Sequence, residues 1–173
     1  RLDTVSKELG SVQEIGRSMR DLQNFLRSPK LRGNVGEQVL QDLLSQSFPQ
    51  KFFEMQYKFK TGQIVDAVLK TDQGFISIDA KFPLENFHRF TQSQEEVHKK
   101  EFFRDVKKHI TDVSSKYILP EEGTVEFALL YVPAEAVFYE IIRSEEDLQQ
   151  FAWNKKVLLV SPNTFFYFLK ILM

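Results

Sequence analysis

A hairpin with charges in both of its strands limits what this chain can fold into more than any other stretch. Residues 64–70 are β-rich, Thr71-Asp72-Gln73-Gly74 is turn chemistry, and residues 75–82 are β-rich again until Pro83 stops them. Closing the hairpin symmetrically about Asp72 and Gln73 sets Asp66 directly opposite Asp79, with Cβ atoms roughly 4.5–5.5 Å apart. Strand alternation puts Asp79 and Lys81 on one face and Ile76, Ile78, Ala80 and Phe82 on the other, toward a core. The plain reading of such charges is a solvated face. Like charges opposed across a ladder destabilise it, however, and a cation bound between them removes that cost.

The rest of the chain supplies a frame for that hairpin. Residues 1–28 repeat Leu2, Val5, Leu9, Val12, Gly16, Met19, Gln23 and Leu26 at spacings of three and four. This is either the end of a dimerising coiled coil or one amphipathic helix packed on its own domain. Residues 28–34 read as a Pro- and Gly-bearing linker, after which a helix from about Val35 carries Val39, Leu40, Leu43 and Leu44 on one face. Glu37 then falls in its first turn, where an acid complements the helix dipole. Residues 52–60 alternate as a strand, with Phe53, Met55, Tyr57 and Phe59 on one face, so three antiparallel strands follow the helix. A long helix is expected over 95–116. Residues 124–132 and 157–160 are nearly continuous apolar runs, as in strands covered on both faces. Helices are expected after Pro133, from a cap at Ser144, and from Ser161-Pro162. The fold class is α/β with a mixed central sheet, preceded by the N-terminal helix.

Composition adds exclusions. With 173 residues, 42% of them hydrophobic, the chain can build one domain with a real core. Lys plus Arg number 23 against 24 Asp plus Glu, so net charge points to no partner and only a local basic face could. Lys100, Arg104 and Lys107 share one face of the long helix and are the candidates for DNA phosphate contacts, a solvated face being the plain alternative. The absence of cysteine excludes disulfides and thiolate sites. No apolar run is long enough to cross a membrane, so no membrane contact is expected of this piece. His88, His98 and His109 are too scattered for a metal motif and read as surface residues. No Gly-rich phosphate loop is present, which argues against a nucleotide-driven motor.

Asp66 followed by Asp79-Ala80-Lys81 resembles the Asp…(Asp/Glu)-x-Lys signature of the PD-(D/E)xK nucleases, although Val65 stands where the motif has proline. With Gly33-Asn34-Val35-Gly36-Glu37, Tyr131-Val132-Pro133-Ala134-Glu135-Ala136 and Leu158-Leu159-Val160-Ser161-Pro162-Asn163-Thr164, it is similar to the RmuC family, the DNA recombination proteins of bacteria. The resemblance implies an αβββαβ restriction-endonuclease-like core and a domain over 29–173 that is truncated at its C-terminus. It implies a Mg²⁺- or Mn²⁺-dependent deoxyribonuclease acting in DNA recombination or in limiting DNA rearrangement. Glu37, Asp66, Asp79 and Lys81 would be catalytic, with Asp66, Asp79, the Ala80 carbonyl and Glu37 around the metal. DNA would be the partner, with a homodimer or higher oligomer through the coiled coil. The chain starts at Arg1 and reads as an internal fragment, and the family pattern implies a cytoplasmic-side domain whose full-length protein is anchored to the inner membrane. The alternative class is a non-catalytic DNA-binding or coiled-coil interaction module on the same scaffold.

Overall fold

Thr71 shapes the turn on which the sheet is built. Its Oγ1 donates to the Gly74 carbonyl at 2.7 Å and accepts the Gln73 N–H at 3.2 Å. Gly74 follows with φ of 130°, a backbone conformation that favours glycine, and a Cβ there would stand 2.7 Å from the Gly123 carbonyl oxygen. Strands β2 (Ile64–Thr71) and β3 (Gly74–Asp79) run antiparallel from this turn, with pairs from Thr71–Gly74 to Ala67–Ile78. That register sets Asp66 opposite Asp79 at the next position, as the turn residues require.

The structure is a computed structural model and describes residues 29–172. The expected coiled coil over 1–28 lies outside the described residues. Strand β1 (Phe53–Lys58) adds antiparallel to β2, while β4 (Thr124–Tyr131) and β5 (Val157–Val160) add parallel to β3. The sheet order is β1-β2-β3-β4-β5, mixed and five-stranded. Its helices are α1 (Pro29–Ser47), α2 (Glu85–Ser93), α3 (Glu96–Tyr117), α4 (Glu135–Ile142), α5 (Leu148–Asn154) and α6 (Pro162–Leu172).

Alternation along the strands divides the core in two. Leu40 and Leu44 of α1 and Phe165 and Leu169 of α6 pack with Ala67, Leu69, Ile76, Ile78, Leu129 and Tyr131 on one face. Phe87 of α2, Phe102, Val106 and Ile110 of α3, Ile141 of α4 and Ala152 of α5 pack with Ala128, Leu130, Val132 and Leu159 on the other. Burial on both sides explains why β4 and β5 read as unbroken apolar runs. Helix α6 starts with a reciprocal cap: Ser161 N–H donates to Thr164 Oγ1 at 2.6 Å, and Thr164 N–H to Ser161 Oγ at 3.2 Å. Among the described residues, no helix is long and apolar enough to cross a membrane.

Five local expectations change, the first at Phe82: β3 ends at Asp79, and Phe82 packs with Phe102 of α3 in the core opposite Ile76, Ile78 and Ala80. The stretch read as a linker is the start of α1, with Pro29 as its first residue, where a missing N–H costs nothing. Glu37 therefore lies in mid-helix, outside the first turn, and dipole complementarity does not account for it. Helix α5 is capped by Asp147, which accepts from the Gln150 N–H, while Ser144 closes α4 by donating to the Ile141 carbonyl. The apolar side chains of β1 do not share a face: Phe53 and Met55 join the α1–α6 core, whereas Tyr57 and Phe59 pack with Val65, Val68 and Leu119. The switch occurs across Gln56, whose φ is 52°.

Candidate active site

The hairpin carries Asp66 and Asp79 into the protein, where they are 2% and 3% exposed. Backbone amides hold one oxygen of each. Ala80 N–H donates to Asp66 Oδ2 at 2.7 Å, so the carboxylate takes over from the ladder where the strands end. Lys81 N–H donates to Asp79 Oδ1 at 3.0 Å, and His109 Nε2 lies 3.0 Å from the same oxygen. The remaining oxygens, Asp66 Oδ1 and Asp79 Oδ2, have no hydrogen-bond donor among the described residues. Lys81 Nζ stands 3.7 Å from Asp66 Oδ1, but the lysine side chain is 67% exposed and the ion pair is screened.

Electrostatics follows from this enclosure. Burial raises the Asp66 pKa from its ordinary value, and the charges of Asp79 and Glu37 add to this against the Ala80 amide and Lys81. Glu37 contributes the least of these influences. It is hydrogen-bonded to Gln56, whose Nε2 donates to Glu37 Oε1. Beside it, Gly36 packs against the Ala80 carbonyl so closely that a Cβ would lie 2.7 Å from the oxygen. Among the described residues no group of three or more His, Asp or Glu side chains is gathered to hold a metal ion. The structure brings together Asp66, Asp79 and Lys81, with Ala80 and Glu37 on the α1 side.

Helix α3 contributes two residues that sequence reasoning missed. His109, expected on the surface, is only 23% exposed at its side chain and faces Asp79. Burial disfavours its charge, yet the Asp79 hydrogen bond and charge, with the Lys81 backbone, raise its pKa overall. Nothing in the spacing of the histidines indicates this, because the packing of α3 over β3 decides it. The Tyr117 phenol is pushed up to about 12, first by burial and then by the charges of Asp79 and Asp66. Unfolded tyrosine ionises near 10, so between these values the unfolded chain holds fewer protons and stability should fall as pH rises. Ultraviolet titration should show a phenol near 12 that Tyr117→Phe removes and Asp79→Asn shifts downward. A titration that Asp79→Asn leaves unmoved would place the hydroxyl away from the carboxylates.

The expected phosphate row lies elsewhere. At about 100° per residue, Lys100, Arg104 and Lys107 leave α3 on the side roughly opposite His109. Lys107 is bound to Glu146 at 3.0 Å. Any phosphate contact through this row would be on a surface turned away from the two aspartates.

Two carboxylates, each with one oxygen fixed and one open, match the oxygen donors that Mg²⁺ or Mn²⁺ takes alongside water. The donor set therefore fits such an ion.

The sequence model of the RmuC family matches residues 1–173. The chain is 27% identical over 180 residues to the DNA recombination protein RmuC homolog of Xylella fastidiosa (strain Temecula1 / ATCC 700964), covering 95% of this chain and 39% of that protein. It is 28% identical over 174 residues to the homolog of Chlamydia trachomatis serovar D, covering 97% and 40%. To the DNA recombination protein RmuC of Escherichia coli (strain K12) it is 25% identical over 179 residues, covering 93% and 38%. The chain thus spans about two fifths of the length of these relatives. No solved structure matches it significantly. With a match that runs its whole length, the chain belongs to the RmuC family.

Proposed function

We propose that this domain is a divalent-metal-dependent nuclease of the PD-(D/E)xK type that hydrolyses phosphodiesters in DNA during recombination. One observation carries the reading: Asp66 opposite Asp79, each pinned by one oxygen with the other open, and Lys81 two residues on. The order α1, three antiparallel strands, α2 and α3, and the parallel strand β4 supports this reading, being compatible with an αβββαβ core that carries one additional helix before β4. The family name supports DNA recombination as the setting.

In this reading Asp66, Asp79 and the Ala80 carbonyl hold the metal, and Glu37 completes the acidic wall from α1. A bound Mg²⁺ or Mn²⁺ supplies Lewis acidity toward the phosphate and a more acidic water. Lys81, free to swing because most of its side chain is in solvent, orients the attacking water and balances charge on the phosphate. His109 steadies Asp79 by its hydrogen bond to Oδ1, leaving Oδ2 for the metal. The other class, a non-catalytic DNA-binding module, draws on Glu37 being bonded to Gln56 instead of gathered with the aspartates.

Cleavage of a panel of DNA substrates with Mg²⁺ or Mn²⁺ separates them. Wild type should cleave. Lys81→Ala should bind Mn²⁺ unchanged, since the lysine is no ligand, and lose roughly 10²–10³-fold in rate. A wild-type chain that neither binds millimolar Mn²⁺ nor cleaves would leave the non-catalytic module standing.

A further inference from the structure

Gln56 is out of place by every local rule. Among the described residues three other non-glycine positions have positive φ, namely Gln94, Asp147 and Lys156. Gln94 and Asp147 cap helix ends, and Lys156 lies in the turn between α5 and β5, where left-handed residues are ordinary. Gln56 lies inside a strand, at 52°. The ladder continues on both sides of it without an inserted residue, Met55 pairing with Ala67 and Tyr57 with Val65, so Gln56 stands opposite Asp66. A left-handed backbone is unfavourable for a residue with a Cβ. The hydrogen bond it makes is exposed and contributes little to stability.

Switching the face of β1 explains the backbone but not the side chain. Glycine or asparagine would make the same switch with less strain. What glutamine adds is reach: from β1 its amide extends to Glu37 on α1. No donor among the described residues takes the other carboxylate oxygen of Glu37.

We propose that Gln56 is a positioning residue of the acidic site, holding Glu37 by one oxygen so that the other is presented beside Asp66. The inference rests on the nuclease reading and goes beyond it, since Gln56 belongs to no part of the (Asp/Glu)-x-Lys pattern. A neutral amide suits this position because it holds the carboxylate without neutralising it, as a lysine would. The strain is retained because the residue must turn at this point of β1 and still span to α1.

Two variants separate position from fold. Gln56→Gly keeps the left-handed backbone and removes the amide; Gln56→Asn keeps an amide one methylene too short to reach Glu37. In chelator, Gln56→Gly should melt no lower than wild type, while both variants bind Mn²⁺ about 10–100-fold more weakly. In the metal-free chain, the Gln56 side-chain amide should give a displaced NMR resonance that Glu37→Ala returns to the ordinary position. If wild type binds Mn²⁺ and both variants bind it equally well, or if Glu37→Ala leaves the amide unmoved, the positioning role is wrong and the nuclease reading survives. If wild type itself neither binds Mn²⁺ nor cleaves DNA, both fall together.

Discussion

Asp66→Asn should leave the domain at least as stable as wild type in chelator while lowering Mn²⁺-dependent DNA cleavage by roughly 10²-fold or more, since losing metal-borne stabilisation of several kcal/mol costs a factor of ten per 1.4 kcal/mol. The two halves of this expectation have one cause. Asp66 is buried, and burial with the neighbouring charges of Asp79 and Glu37 works against its ionised form. Asparagine keeps an oxygen for the Ala80 N–H and removes the charge, so the metal-free fold loses a repulsion and little else. Mn²⁺ should raise the melting temperature of wild type by mass action and leave that of the variant unmoved. Asp79→Asn should lose cleavage equally but be the less stable of the two. Its carboxylate also faces His109, whose half-buried ring would be left without its charged partner. Thermal melts of both variants with and without Mn²⁺, beside a cleavage assay, check the pair. Cleavage by Asp66→Asn at the wild-type rate would remove the aspartates from the chemistry.

The second large effect is expected of Gly36→Ala, at about 1–3 kcal/mol of destabilisation. On an exposed helix the same change would stabilise by roughly 1 kcal/mol, because glycine is a poor helix former. Here the added Cβ would meet the Ala80 carbonyl oxygen at 2.7 Å, and that atom belongs to backbone just past the end of β3 and cannot swing aside. Relief requires α1 to lift from the sheet, which moves Glu37 away from Asp66 and opens the packing of Leu40 and Leu44. Denaturant unfolding and Mn²⁺ titration of the variant should both register it. A variant as stable as wild type would mean that α1 does not press on Ala80.

How much of this was legible in the sequence depended on whether the deciding forces were local. The hairpin and the opposition of Asp66 to Asp79 could be read because turn residues and strand alternation fix a register within a few positions. The apolar runs of β4 and β5 announced a sheet covered on both faces. The start of α1 was not legible, because Pro29, Gly33 and Gly36 are linker residues by propensity, and packing against Ala80 makes the last of them a contact. Helix α2 is hard to see for a different reason: it has nine residues, and Phe87 and Phe90, three apart, are too few apolar side chains to establish a helical period. His109 and Tyr117 joined the site through the crossover that lays α3 on β3, a choice of face that no spacing in the chain records. Gln56 could not be foreseen at all, since nothing in Met55-Gln56-Tyr57 departs from an ordinary strand.

The left-handed backbone at Gln56 has a consequence for solubility as well. In a five-stranded open sheet β1 and β5 are the outer strands, and each presents one side of its backbone to the surroundings. The strand β5 has only four residues. The strand β1 has six, but the turn of the chain at Gln56 divides them, so no long straight row of amides and carbonyls faces outward. Another extended chain seeking to pair there meets a break after three residues, which is too short a template to hold it.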